Sequence, residues 1–108
     1  MTMARKCVPC EGGIPPLDEK QIHNELAKIN GWVQRGKQIE KDFSFQTYLD
    51  GLNFVNSVGN IAEEEGHHPE MSLGYKRLRI TLTTFAIGGL SENDFILASK
   101  IDELASGN

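Results

Sequence analysis

Residues 46–70 read QTYLDGLNFVNSVGNIAEEEGHHPE, and the periodicity of this stretch decides the fold. Polar Gln46, Asp50, Asn53, Ser57, Asn60 and Glu64 recur at helical spacing opposite Leu52, Val55, Val58 and Ala62, a stripe widened by Phe54 and Ile61. That pattern predicts one long amphipathic helix over residues 46–65, with Gly66 as the residue that ends it. Beyond the helix stand two adjacent histidines and a proline, so the helix delivers a dense titratable cluster, EEEGHHPE, into a restrained turn. Such a cluster is a metal site, an acid/base site or a solvated helix end.

Outward from this helix the chain alternates short elements. On the N-terminal side, Asp18 with Gln21 three residues later, then Ile22, Leu26 and Ile29, predicts a short amphipathic helix stopped by Gly31. WVQRGKQIEKDFSF comes next as two strands about a tight turn at Arg35, Gly36 and Lys37, with Ile39, Phe43 and Phe45 on one face. On the C-terminal side a short strand near Met71 to Leu73 precedes RLRITLTTF, where Leu78, Ile80, Leu82 and Thr84 alternate with Arg77, Arg79, Thr81, Thr83 and Phe85. Ser91 with Asp94 three on is an acidic variant of the capping box, and it opens a last helix with Ile96, Leu97, Ile101 and Leu104 inward. The order helix-strand-strand-helix-strand-strand-helix, with strands apolar on one side only, implies an α+β fold: a four-stranded antiparallel sheet with the helices packed on one face.

Length and composition are consistent with this. A chain of 108 residues is one small domain, expected over residues 16–108 behind an N-terminal arm over 1–15. With 39% hydrophobic residues, no apolar run near the ~18 residues of a membrane span and no apolar region behind MTMARK, a soluble cytoplasmic protein is expected. The net charge of −4 is spread along the chain, so nucleic acid is not an expected ligand; the clustered basic residues are those of YKRLR, where Arg77 and Arg79 share a strand face that a small anionic or polar ligand could use as well as DNA. Cys7 and Cys10 form a single C-x-x-C, which reads as a redox pair, half of a zinc site, or an arm without either role; the EGGIPP directly after it is loop chemistry rather than the helix start a thioredoxin-like site needs.

Within the cluster, helical phase separates the glutamates. Glu63 lies eleven residues after Leu52, and at ~100° per residue it returns to within about 20° of the apolar stripe, whereas Glu64 continues the solvent stripe. A carboxylate at the end of a buried face needs a partner, so Glu63 is the candidate with a role. Adjacent histidines point in different directions on any regular element, which argues against a metal shared by His67 and His68 alone. Near carboxylates and just past a helix C-terminus, either imidazole has its cationic form favoured, which suits general acid/base catalysis.

The cluster, taken with the residues downstream of it, resembles the signature of pterin-4a-carbinolamine dehydratases: an acidic residue, three positions, H-H-P, five or six positions, an aromatic, nine positions, usually a histidine, and later an aspartate. Glu63, His67, His68, Pro69, Tyr75 and Asp94 fall in that register, GGLSENDFILASKI resembles the family's closing helix, and the likeness runs from about Leu17 to the end of the domain. The departure is Phe85, where the family usually carries its third active-site histidine and sometimes tryptophan; a phenyl ring moves no proton but stacks on a flat heterocycle. The resemblance implies dehydration of 4a-hydroxytetrahydropterin to quinonoid dihydropterin, in recycling of the hydroxylase cofactor, with no metal or other cofactor. It implies His67 as main acid/base, His68 binding substrate and sharing proton transfer, and Glu63 orienting the pair. It further implies that Pro69 and the edge formed by Thr83, Thr84, Phe85 and Ala86 line the pterin slot, and that Asp94 serves structure by capping the last helix. A homodimer or homotetramer is implied as well. The resemblance leaves open a relative that kept the scaffold as a pterin-binding or protein-binding module, for which a hydroxylase or a transcription factor is the kind of partner implied.

Overall fold

A computed structural model describes residues 15–106 of the chain. Cys7 and Cys10, with the arm that carries them, lie outside the described residues. Three α-helices and four strands run in the expected order: α1 (Glu19–Leu26), β1 (Val33–Arg35), β2 (Gln38–Ser44), α2 (Tyr48–Glu65), β3 (Glu70–Leu73), β4 (Arg77–Leu82) and α3 (Glu92–Ser106), with a 3-10 turn at Phe85–Ile87. The strands form one antiparallel sheet ordered β1-β2-β4-β3.

Local sequence explains the ends. Asp18 accepts from the Gln21 amide while the Gln21 side chain accepts from the Asp18 amide, a complete reciprocal cap for α1. That helix ends at Leu26, before Gly31, because Lys28 and Ile29 bond three residues back in tightening turns. Thr47 caps α2 through the Asp50 amide, and α2 closes on Gly66 at φ 66°, a left-handed conformation that glycine adopts at no steric cost.

Strand pairing places Ile39 against Leu82 and Phe43 against Leu78, so the apolar side chains of β2 and β4 share one face. On that face they form a single buried cluster with Ile22 of α1, Phe54 and Val58 of α2, and Leu97, Ala98 and Ile101 of α3. All three helices therefore cover the same side of the sheet, and the other side carries Glu40, Asp42, Arg77 and Arg79. Lys41 also lies on the core side: its stem runs past Phe43 and its ammonium bonds the Asp102 carboxylate at 2.8 Å and the Asn30 carbonyl at 2.6 Å. The same carboxylate accepts from the Trp32 indole N–H at 3.0 Å, fastening the loop before β1, strand β2 and the end of α3 together.

Strand β4 stops at Leu82, short of the expected reach to Phe85. Thr84 and Gly89 instead bond each other's backbone, closing a turn that holds Phe85 at its tip. Gly89 is required there because an added Cβ would stand 2.8 Å from Pro16, which packs on the turn beside the Leu17 amide's bond to the Leu90 carbonyl.

Candidate active site

The end of α2, the turn after β4 and the start of α3 converge. Gly66 turns the chain so that the His67 amide still bonds the Ala62 carbonyl, and the imidazole swings toward α3. There His67 Nε2 lies 2.6 Å from Asp94 Oδ1. Asp94 is fully buried and the His67 side chain is 12% exposed. The other oxygen, Asp94 Oδ2, accepts from the Thr84 hydroxyl at 2.8 Å and from the Ser91 amide at 3.0 Å. An ionised carboxylate only accepts, so the His67 nitrogen facing it carries the proton. Nδ1 is then the ring nitrogen left to exchange a proton with another molecule.

His68 lies in a different setting. Its Nε2 meets Glu63 Oε2 at 2.5 Å on the surface, with the two side chains 60% and 78% exposed. Glu63 thus meets His68 and not the pair, and it does not end the buried face as helical phase suggested. The true centre of that face runs through Phe54, Val58 and Ala62, with Leu52 only at its half-buried margin. Counted from Val58, Glu63 points about 140° away, whereas Glu65 returns to within about 20°. Glu65 is accordingly the buried glutamate, 2% exposed and bonded to Lys100 at 2.7 Å, which ties the end of α2 to α3 beneath the histidine turn.

The remaining expected site residues divide. Pro69 is half-buried in the turn leading to β3, and Phe85 and Ala86 are exposed on the 3-10 turn, Phe85 at 89%. Thr83 faces away, its hydroxyl donating to the Lys37 carbonyl at 2.6 Å. Thr84 is buried with its hydroxyl on Asp94 rather than open to solvent. Asp94 accepts from the Ser91 amide at the start of α3, as the spacing implied, and its other oxygen meets His67. Ser91 was visible in the sequence only as a cap; its hydroxyl also lies 2.8 Å from that of Thr84. Tyr75 sits in the turn between β3 and β4, beyond Leu73, whereas the histidines precede β3 at the other end of the hairpin. Among the described residues no group of three or more His, Cys, Asp or Glu side chains is placed to hold a metal ion, and no helix is long and apolar enough to cross a membrane.

The sequence profile of the family described as Pterin 4 alpha carbinolamine dehydratase matches residues 15–104. The chain belongs to that family. Two similar relatives, from Nitrosospira multiformis and Nitrosomonas eutropha, are each 48% identical over 93% of this chain, covering 88% and 89% of their own lengths; both are named provisionally as pterin-4-alpha-carbinolamine dehydratases. Among solved structures, a transcriptional coactivator/pterin dehydratase from Brucella melitensis superposes with a TM-score of 0.80 at 28% identity, covering 83% of this chain and 98% of that one. A pterin dehydratase-like protein identified as a RuBisCO assembly factor in the alpha-carboxysome superposes with a TM-score of 0.60 at 29% identity, covering 70% and 90%. Carbinolamine dehydratase relatives thus include proteins whose names point to coactivation or assembly.

Proposed function

We propose that this protein dehydrates 4a-hydroxytetrahydropterins to quinonoid dihydropterins. The observation that carries the proposal is the His67–Asp94 pair: a largely buried imidazole held by a fully buried carboxylate, at the position where the family signature has its first histidine. In the reaction the C4a–O bond breaks as the hydroxyl takes a proton and leaves as water, the N5 electron pair forms the C4a=N5 bond, and the N5 proton is given up. His67 is the main acid/base, working through Nδ1 while Nε2 stays on Asp94. His68, on the solvent side with Glu63, binds substrate and shares the proton traffic. Phe85 contributes no proton and offers its exposed ring as a stacking face beside the site. Pro69 and Ala86 complete the rim.

The experiment is the decay of chemically generated 4a-carbinolamine, followed with and without protein. Wild type should accelerate it, and His67→Ala should lose about 10²–10⁴ of that acceleration, the usual worth of a positioned acid/base group. Equal decay with and without wild-type protein would sink the catalytic reading.

A second reading is a binding or assembly module on the same scaffold, favoured by Phe85 in place of the family's usual third histidine and by the solved relatives whose names point to a coactivator and an assembly factor. It predicts protection of the fold by dihydropterin, or a protein partner, without rate acceleration.

A further inference from the structure

The carboxylate that holds His67 is itself held, and chemistry fixes the proton directions around it. Ionised Asp94 accepts only, so the Thr84 hydroxyl spends its single proton on Oδ2 at 2.8 Å. The 2.8 Å contact between the Thr84 and Ser91 hydroxyls then runs one way, with Ser91 donating to Thr84. The result is a directed relay from Ser91 Oγ to Thr84 Oγ1 to Asp94 Oδ2, with the Ser91 amide joining at Oδ2 and His67 donating at Oδ1.

Thr84 is built to stay in this place. Its backbone is pinned by the Gly89 amide and carbonyl, it is 4% exposed, and a β-branched side chain has little χ1 freedom once its methyl is packed. Rotation of the Asp94 carboxylate would withdraw the Oδ1 acceptor from His67 Nε2 and leave the imidazole free to exchange tautomers; the two donors on Oδ2 hold the carboxylate against that rotation.

We infer that Thr84 is a positioning residue: its hydroxyl, backed by Ser91, locks Asp94 as an acceptor and so keeps neutral His67 in the Nε2–H tautomer with Nδ1 open. This rests on His67 as the acid/base of the proposed reaction, but its signature is separate from turnover. The same buried hydroxyl also connects the His67 support to the turn that presents Phe85, so the reacting imidazole and the stacking ring are set by one residue.

The test combines ring-nitrogen NMR of the full chain carrying ¹⁵N-histidine with carbinolamine kinetics for wild type, Thr84→Val and Thr84→Ser. Wild type and Thr84→Ser should show the His67 proton on Nε2. Thr84→Val, close in shape but lacking the hydroxyl, should show a mixed or Nδ1–H tautomer and a kcat lowered about ten- to a hundredfold at unchanged KM, the loss expected for one hydrogen bond to a charged group. If Thr84→Val does not fold, Ser91→Ala, which keeps the amide donor and removes the relay's first hydroxyl, should shift the tautomer in the same direction by less. The inference is overturned if wild-type His67 carries its proton on Nδ1, or if the Val or Ala variant leaves the Nε2–H tautomer intact. A wild type that shows the Nε2–H tautomer, lost in Thr84→Val, but does not accelerate dehydration would overturn the function and leave the positioning standing.

Discussion

His67 and His68 are neighbours in the chain and differ in almost everything else. One imidazole points into the junction of α2 and α3, where a fully buried carboxylate with two further donors fixes its tautomer; the other lies on the surface against a long-stemmed glutamate. The 2.5 Å contact of the exposed pair is the shorter of the two, yet it constrains less, because water competes for both partners and long side chains lose entropy to meet. Bond length is therefore a poor guide to how firmly each ring is held. What distinguishes the histidines is how completely the protein, rather than solvent, decides each ring's surroundings.

The sharpest way to break the comparison is to disable the buried partner. Asp94→Asn replaces an acceptor with a group able to donate toward His67, so carbinolamine turnover should fall by about 10²–10⁴, close to the loss on removing the histidine itself. Turnover near wild type in a folded Asp94→Asn protein, checked by circular dichroism, would mean that burial at His67 is not what matters. The exposed partner should matter far less: Glu63→Gln breaks a surface pair, and kcat/KM is expected to fall by no more than about fivefold, in keeping with the ~1 kcal/mol ceiling of such pairs. A loss as large as that of Asp94→Asn would reverse the ranking of the two histidines.

The smallest effect lies on the open face of the sheet, remote from both. There the Arg79 hydrogen bond, aided by the Arg79 and Arg77 charges, holds the Asp42 carboxyl below its ordinary value, outweighing an opposing effect of desolvation that is larger than either charge effect. A carboxyl lowered in the folded state stabilises above its unfolded pKa of about 3.9, and the stabilisation disappears as pH falls through the lower folded value. Thermal melts of Asp42→Asn should therefore lie slightly below wild type at neutral pH and converge with it in acid. A gap that widens on acidification contradicts the sign.

Much of this molecule is legible in its sequence. The caps at Asp18 and Ser91, the long helix ending at Gly66 and the one-sided strands all come from spacing, because each is settled by residues within one turn or one strand of one another. Legibility fails where a reference point or a distant contact is needed. Phase counted from Leu52 chooses Glu63; the buried line through Val58 chooses Glu65, because which residue marks the centre of a helix face depends on what packs against it. Strand parity carries β4 on to Phe85, but pairing with Gly89 folds residues 84–89 into a turn instead. Phe85 is exposed, as parity implied, for that different reason.

The sequence by itself determined the α+β order, the placement of two histidines just past a helix end, and the family signature through Asp94, since periodicity and capping are short-range and signatures are linear. Only the tertiary structure decided which histidine each carboxylate serves. Asp94 lies 27 residues beyond His67, and Thr84 lies 10 residues before Asp94, and no local rule reaches across those spans. They meet because α2 and α3 pack on the same face of one sheet, and the resulting burial makes these polar groups find their partners in the protein, in one another and in Ser91.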